Sequence, residues 1–159
     1  MIDHIRPALA TLGLMTVLTG LAYPLALTGL GQTLMPHQAN ASLIVRDGQV
    51  IGSALVGQAF AAPGYLHPRP SAVDYDAAAE GASNLGPTSA ALIADQAARA
   101  VDFVASTGAA SVPVDAVTAS GSGLDPHVSP ENARAQAARI AAARGVPAAE
   151  VAALIETQI

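Results

Sequence analysis

An uncharged apolar run near the N-terminus constrains this chain more than any other feature. It extends from Ala8 to Met35, and Pro7 and Pro36 bracket it. A helix that crosses the hydrocarbon core of a bilayer needs about 20 such residues, so the run is long enough to span a membrane with some tilt. The alternative is a cleaved signal peptide, but the run is too long for a signal and no convincing cleavage site follows it. We therefore predict an uncleaved membrane helix over residues 8–35.

The charges on either side of this helix predict its orientation. Arg6 and the N-terminal amine precede it, partly offset by Asp3, whereas no charge follows it until Arg46. Positive charge beside a membrane helix tends to stay in the cytoplasm. We therefore expect the chain in the cell (inner) membrane as a single-pass protein, with residues 1–7 in the cytoplasm and residues 37–159 outside it, in the periplasm of a cell with two membranes.

Small residues recur at spacings of three and four along the predicted helix, which places them on one stripe. They are Gly13, Thr16, Gly20, Pro24, Thr28 and Gly31. Small side chains allow close approach of another helix, so the stripe predicts a face for a partner helix. The alternative is that Gly and Thr are simply common in membrane helices and that the proline only adds a kink.

Composition excludes several functions. The net charge is -5 and the chain has no lysine, which argues against a nucleic-acid partner, because neutralising phosphates requires clustered Lys and Arg. The chain also has no cysteine, so disulfides, thiolate metal sites and a cysteine nucleophile are excluded. Without lysine it carries neither the P-loop motif nor the Asp-Lys-Thr-Gly-Thr phosphorylation motif. We predict no catalytic residue and no metal site.

The C-terminal part reads as a small mixed domain. Residues 42–46 and 49–56 flank an Asp-Gly pair and predict a β-hairpin. A long segment rich in Pro, Gly and Ser follows over residues 61–88. Residues 112–118 have the β-branched content of a strand, with Pro113 favouring a sheet edge.

Residues typical of helix ends predict two helices. Residues 89–106 have a helical apolar period that stops at Gly108, and residues 130–144 lie between an N-cap at Ser129 and Gly145. The second helix reads as an amphipathic surface helix whose arginines, Arg134, Arg139 and Arg144, step round one broad face. A short terminal helix follows Pro147. The predicted fold class is a single N-terminal transmembrane helix plus a small α/β (α+β) extracytoplasmic domain, with a sheet that contains a hairpin and two to three helices.

One serine- and glycine-rich loop is a weak candidate for binding nucleotide. Ser120, Gly121, Ser122 and Gly123 offer backbone N–H groups that a phosphate accepts from. A tight turn whose glycines supply positive φ is the plainer interpretation. A serine hydrolase built from Ser120 or Ser122 with Asp125 and His127 lacks the Gly-x-Ser-x-Gly motif, and these residues fit the lead-in and cap of the next helix better.

Five runs of this sequence carry a family resemblance. They are Leu18-Thr-Gly-Leu-Ala-Tyr-Pro24, Gly52-Ser-Ala-Leu-Val-Gly-Gln58, Arg69-Pro-Ser-Ala72, Ser83-Asn-Leu-Gly-Pro87 and Val117-Thr-Ala-Ser-Gly-Ser-Gly-Leu-Asp-Pro-His-Val-Ser-Pro130. These runs appear in the same order in the C subunit of the bacterial Kdp potassium-transporting ATPase, which the chain resembles over most of its length. Two positions depart from the family pattern, because Ala41 and Pro68 stand where it usually has Gly.

The resemblance implies an accessory, non-hydrolytic subunit of a high-affinity potassium uptake complex. Its partners would be a channel-like potassium-binding subunit, a P-type ATPase subunit and a small single-helix subunit, besides membrane lipid. The family is described as a catalytic chaperone that raises the affinity of the ATPase subunit for ATP. A domain outside the cytoplasm cannot touch cytoplasmic ATP, so we expect no firm cofactor here and ATP only through the partner ATPase subunit.

The residues alone leave two other classes of protein as alternatives. A pilin-like protein also has an N-terminal apolar helix and a globular head, but no Glu precedes Glu80 in this chain. An anchored periplasmic enzyme would need a nucleophile, a base and an orienting group, which the sequence does not assemble.

Overall fold

The computed structural model describes residues 4–159. Asp3, one of the charges used to predict the orientation, lies outside the described residues. The chain divides into two compact units, the first ending at Ser53 and the second beginning at Ala54.

The first unit begins with one long helix. It consists of α1 (Ile5–Val17), a π-helical turn (Leu18–Ala22) and α2 (Tyr23–Leu34). The helix Ile5–Leu34 has 30 residues and is long and apolar enough to cross a membrane, and none of the span is buried in the chain's own fold. The helix starts before the predicted boundary because Pro7 fits the first turn, where its missing N–H needs no partner.

The π-helical turn interrupts the regular period of this helix. It ends at Ala22, two residues before Pro24, which has no N–H to donate to the carbonyl of Gly20. A π-helical turn is wider than an α-helical one. The turn therefore changes the rotation about the helix axis of the small residues after it, compared with a regular α-helix, and the single stripe stays a prediction.

The predicted hairpin is confirmed, with a shorter second strand. A short helix, α3 (Pro36–Ala39), leads into β1 (Leu43–Arg46), which pairs antiparallel with β2 (Gln49–Ser53). Asp47 and Gly48 have φ of 53° and 76°, the positive values that a two-residue hairpin turn requires. A register irregularity between Ile44 and Val45 disturbs the ladder, and β2 ends at Ser53 rather than at Val56.

The second unit contains four helices, and both marked helices are confirmed. They are α4 (Ala90–Thr107), α5 (Val114–Val117), α6 (Pro130–Arg144) and α7 (Ala148–Glu156). The hydroxyls of Ser89 and Ser129 accept hydrogen bonds from the first turns of α4 and α6. Gly108 and Gly145 follow these helices with φ of 70° and 67°, as C-terminal glycines do.

The predicted strand over residues 112–118 is wrong, because this segment forms the single turn α5. Pro113 is its N-cap, and the Thr118 hydroxyl donates to the carbonyl of Val114. The turn also presents the Asp115 carboxylate to Ser129. Local side-chain hydrogen bonds therefore outweigh the β preference of the valines, which reflects packing on a sheet more than backbone preference.

The apolar core of the described residues lies on α6. Ala133, Ala137, Ile140 and Ala141 are its buried apolar side chains. The helix has a buried and an exposed face as predicted, but the buried face also holds Asn132 and Gln136. With so little apolar volume, polar contacts must position much of the loop structure of this unit.

Candidate functional site

Parts of three resembling motifs meet in the second unit at one place, which we call the loop junction: residues 57, 69–75, 81 and 119–125. Three backbone hydrogen bonds join these segments. The N–H of Gly57 donates to Leu124 (2.6 Å), that of Gly81 to Ser122 (2.9 Å) and that of Ser120 to Pro70 (2.9 Å). Segments far apart in sequence are thus held together without a sheet.

Arg69 ties the loop junction together through its side chain and its backbone. Its guanidinium lies 3.2 Å from Asp125 Oδ2 and donates to the carbonyl of Ala119 at 3.4 Å. The Tyr75 hydroxyl donates to the carbonyl of Arg69 at 2.6 Å. Burial, more than the nearby charges, raises the pKa of Tyr75, so its hydroxyl stays protonated as a donor.

The serine-rich loop of the nucleotide hypothesis forms a closed turn within this junction. Ser120 is only 2% exposed, and its Oγ accepts from the N–H groups of Gly123 and Asp125. Ser122 Oγ accepts from the N–H of Leu124. Several N–H groups of the loop therefore already have partners in the chain, and nucleotide binding by Ser120, Gly121, Ser122 and Gly123 stays a prediction.

The side chains of Asp125 and His127 interact with each other, whereas the contact of Asp125 with Ser120 is made by the Asp125 backbone N–H. His127 Nδ1 lies 3.1 Å from Asp125 Oδ1, which also accepts from the His127 N–H. Burial disfavours the charged carboxylate, but hydrogen bonds from His127 and Arg69 outweigh it and hold the pKa of Asp125 below its ordinary value. Within residues 4–159, no hydrogen bond links the His127 ring to Ser120 or Ser122, so the structure does not assemble the relay of a hydrolase.

A second polar cluster joins α5 to the start of α6. Asp115 accepts from the backbone N–H of Ser129 (2.7 Å), the Ser129 hydroxyl (2.8 Å) and Asn132 Nδ2 (3.0 Å). Burial acts to raise the pKa of Asp115, but these hydrogen bonds together lower it below the ordinary value. The carboxylate thus fixes the N-terminus of the core helix.

The arginines of α6 hold the long proline-rich segment, which sequence reasoning missed. Arg139 donates to the carbonyls of Pro63 (2.6 Å) and Tyr65 (3.2 Å), and Arg144 Nε donates to that of Gly64 (2.6 Å). Arg144 also lies over the Tyr65 ring, 5.4 Å from its centre. These two arginines were predicted to face solvent. No local sequence pattern indicates these contacts, because the carbonyls come from a loop more than 70 residues earlier in the chain.

The glycines of the predicted partner-helix face differ in their surroundings within the described residues. Gly13 and Gly20 have no atom within 4 Å of where a Cβ would lie, so their surface is open. A Cβ on Gly31 would lie 3.7 Å from the side chain of Ala39 in α3, and the Thr28 hydroxyl donates to the carbonyl of Pro24. The face stays a prediction, with its open surface at the glycines before and within the π-helical turn.

These features define a class of protein. One long apolar helix with none of its span buried, followed by a small α+β domain tied by loop contacts, is the architecture of a membrane-anchored protein with a single helix.

The chain belongs to the KdpC family, described as the K+-transporting ATPase c chain, whose model matches residues 5–159. This membership confirms the resemblance and makes the chain one subunit of a multi-subunit potassium-transporting ATPase. The pilin-like alternative has no support from it.

Curated relatives agree with the family. The chain is 64% identical over 159 residues to the potassium-transporting ATPase KdpC subunit of Cereibacter sphaeroides, and the match covers 100% of this chain and 85% of the relative. It is 56% identical to the KdpC subunit of Caulobacter vibrioides, over 100% of this chain and 82% of that protein. The KdpC subunit of Rhodospirillum rubrum is 54% identical over 98% of this chain and 82% of the relative.

Proposed function

We propose that this chain is the non-hydrolytic accessory subunit of an ATP-driven potassium uptake complex and that it stabilises the assembly. The observation that carries the proposal is the helix Ile5–Leu34, none of whose span is buried in the chain's own fold, in a chain that matches the family from residue 5 to its end. An apolar helix of this kind is covered by lipid and by other helices.

The proposed partners are a channel-like potassium-binding subunit, a P-type ATPase subunit and a small single-helix subunit. The open surface at Gly13 and Gly20 supports close packing of one partner helix, because small residues let two helix backbones approach. The rest of the helix surface, rich in exposed Leu, is suited to lipid.

The proposed topology places residues 37–159 outside the cytoplasm, beside the potassium entry of the channel-like subunit. The acidic net charge of -5 supports this place modestly, since a negative surface raises the local concentration of potassium. In this topology the domain assists the ATPase subunit, as a catalytic chaperone raising its ATP affinity, only through membrane helices.

The functional test compares the purified complex with and without this subunit. We expect removal to dissociate the complex or to raise the KM for ATP in potassium-stimulated hydrolysis. An intact complex with unchanged kcat and KM after removal of the subunit would contradict both parts of the proposal. Titration of ATP against the purified subunit alone checks the nucleotide hypothesis for Ser120, Gly121, Ser122 and Gly123, and we expect no saturable binding.

The topology is directly measurable because the chain has no cysteine. His4→Cys and Ser106→Cys each introduce one thiol at an exposed position. In spheroplasts, a maleimide that cannot cross membranes should label residue 106 at once and residue 4 only after lysis. The reverse pattern would overturn the proposed orientation.

A further inference from the structure

A groove in the second unit lies between α6 and α7, which are joined by the turn at Gly145. Its volume is about 640 Å3, within the range of about 300 to 1,000 Å3 that small-ligand sites have. We call it the α6–α7 groove. Its apolar walls come from three segments of the chain and include the side chains of Leu66, Val128, Ile140, Val151, Leu154 and Ile155.

An ion pair holds together the two helices that form this groove. Arg134 Nε lies 2.6 Å from Glu156 Oε1, and a terminal nitrogen of Arg134 lies 3.0 Å from Glu156 Oε2. The α7 wall nevertheless stays uncovered, because 65% of Leu154 is exposed. An apolar surface that lines a groove in this way gains free energy when an apolar group covers it.

The groove has no acidic side chain, although the chain carries 12 Asp and Glu against seven Lys and Arg. The ionisable side chains of its lining are Arg144 and His127. The His127 ring is held by Asp125, whose Oδ1 lies 3.1 Å from Nδ1. The fixed positive charge of the groove is therefore that of Arg144, and it is complementary to an anion.

Arg144 is the arginine of α6 that has donors to spare. Arg134 has the ion pair just described, and both terminal nitrogens of Arg139 donate to carbonyls of the chain. Arg144 donates its Nε to the carbonyl of Gly64 (2.6 Å), and its guanidinium lies over the Tyr65 ring. Within the described residues its two terminal nitrogens make no hydrogen bond, and the side chain is exposed. Adjacent N–H groups of an oriented guanidinium are the arrangement that binds a carboxylate.

We propose that the α6–α7 groove binds a free single-chain aliphatic carboxylate, with its carboxylate at the terminal nitrogens of Arg144 and its chain along the apolar wall at Leu154. The available cation and the uncovered apolar wall each match one half of such an amphiphile. A membrane lipid fits less well, because drawing its acyl chain out of the bilayer gives up apolar burial that the chain already has. The inference stands independently of the proposed function.

The probe for this site is 8-bromooctanoate, titrated against the full chain in nanodiscs of zwitterionic lipid. Nanodiscs replace detergent, whose own alkyl chains would compete for the groove. The chain has no tryptophan, so Leu154→Trp introduces a single fluorophore that bromine quenches on contact. We expect quenching that saturates. Val101→Trp places the fluorophore on α4, at an exposed position outside the groove, and should show only weak quenching proportional to concentration. Ile159→Trp, at another exposed residue of the lining, repeats the measurement if Leu154→Trp does not fold.

Two arginine variants test the charge. Arg144→Gln should weaken binding of the carboxylate about tenfold, the size of a partly exposed charge-assisted hydrogen bond. Arg46→Gln makes the same change in net charge at an exposed residue of β1 outside the groove and should leave binding unchanged. The uncharged 8-bromooctan-1-ol should bind about as weakly to the Arg144 variant as to the parent chain. Equal effects of the two arginine variants, or an equal loss for acid and alcohol in Arg144→Gln, would overturn the proposal.

Chain length tests the apolar wall. 6-Bromohexanoate lacks two methylenes and should bind roughly tenfold more weakly, because each buried methylene contributes about fourfold. Equal affinity for the two acids would contradict burial of the chain.

Other occupants of the groove give different results in the same assay. Nanodiscs whose lipid tails are brominated test the membrane as the source, with no carboxylate added. Quenching of Leu154→Trp there would place a lipid tail in the groove and overturn the proposal. A second copy or a peptide segment that covers the groove would prevent saturable quenching by 8-bromooctanoate, and this result would also overturn it.

Discussion

The side chains of Arg69 and Asp125 lie 3.2 Å apart although 56 residues separate them in sequence. The pair is partly exposed, with 26% and 30% of the two side chains accessible. It joins the segment that starts at Arg69 to the serine-rich loop before α6. Because this part of the unit has no sheet of its own, such pairs and a few backbone hydrogen bonds determine its conformation.

Loss of the Asp125 carboxylate should therefore destabilise the second unit. Asp125→Ala removes the Arg69 pair and the hydrogen bond to the His127 N–H. We expect the free energy of unfolding to fall by about 1 kcal/mol, a value reduced for partial solvent exposure. Urea unfolding of the full chain in detergent measures it. As the control, Asp95→Ala removes the 3.9 Å pair with Arg99 and should cost almost nothing; equal losses in both variants would contradict this role.

Two glycines of the same loop should differ strongly in how much stability is lost when each is replaced by alanine. Gly123 has φ of 73°, and a Cβ there would lie 2.5 Å from Val73 Cγ2 and 2.8 Å from the carbonyl oxygen of Gly81. Gly121 has open space at the same position. We expect Gly123→Ala to cost about 2 to 4 kcal/mol through strain and overpacking, and Gly121→Ala less than about 0.5 kcal/mol. Thermal unfolding of both variants checks this, and a neutral Gly123→Ala would refute the structure of the junction.

Acid should destabilise the second unit through two carboxylates. The pKa values of Asp115 and Asp125 lie below their ordinary values in the folded chain. Their contribution is thus fully present above the unfolded pKa of about 3.9 and is lost as the pH falls through the lower folded values. Unfolding by urea between pH 7 and pH 3 should show this loss, and Asp115→Asn should reduce the slope. Stability that increases below pH 4 would contradict the prediction.

Ala41 stands where the family usually has Gly, and this difference predicts a stabilising substitution in the first unit. Ala41 has φ of 64°, a left-handed conformation that costs a residue with a Cβ roughly 1 kcal/mol or more. Ala41→Gly should therefore stabilise the turn that leads into β1 and slow hydrogen exchange of the hairpin amides severalfold. Ala39→Gly in the short helix α3 is the control and should have the opposite effect. Faster exchange in Ala41→Gly would show that the strain is not released.

Local signals predicted the helix ends and the hairpin, but not the contacts between distant loops. Ser129, Pro130 and Gly145 each act within one turn of helix, so the sequence around them is sufficient. The conformation of residues 112–118 depends on Ser129, fourteen residues after Asp115, and a strand pattern does not contain that information.

The π-helical turn and the loop contacts of Arg139 could not be predicted either, because local sequence patterns do not contain the information that determines them. Sequence periodicity assumes a regular helix, whereas the turn before Pro24 changes the rotation of every later residue. An arginine on a polar helix face is ordinarily solvated, and only the fold brings the carbonyls of Pro63 and Tyr65 to Arg139. The groove between α6 and α7 likewise depends on residues from three separate segments.

The central claim is that the membrane helix binds a partner subunit through its open small-residue surface, and one comparison tests it most directly. Gly20→Leu places a large side chain on that surface, whereas Gly29→Leu makes the same change outside the predicted face, and neither position has an atom within 4 Å of a new Cβ. Each tagged variant is purified from native membranes in mild detergent, and co-eluting subunits and potassium-stimulated ATP hydrolysis are measured. We predict that Gly20→Leu loses most of the channel-like and ATPase subunits while Gly29→Leu retains them. Full retention by Gly20→Leu, or equal loss in both variants, would contradict the claim.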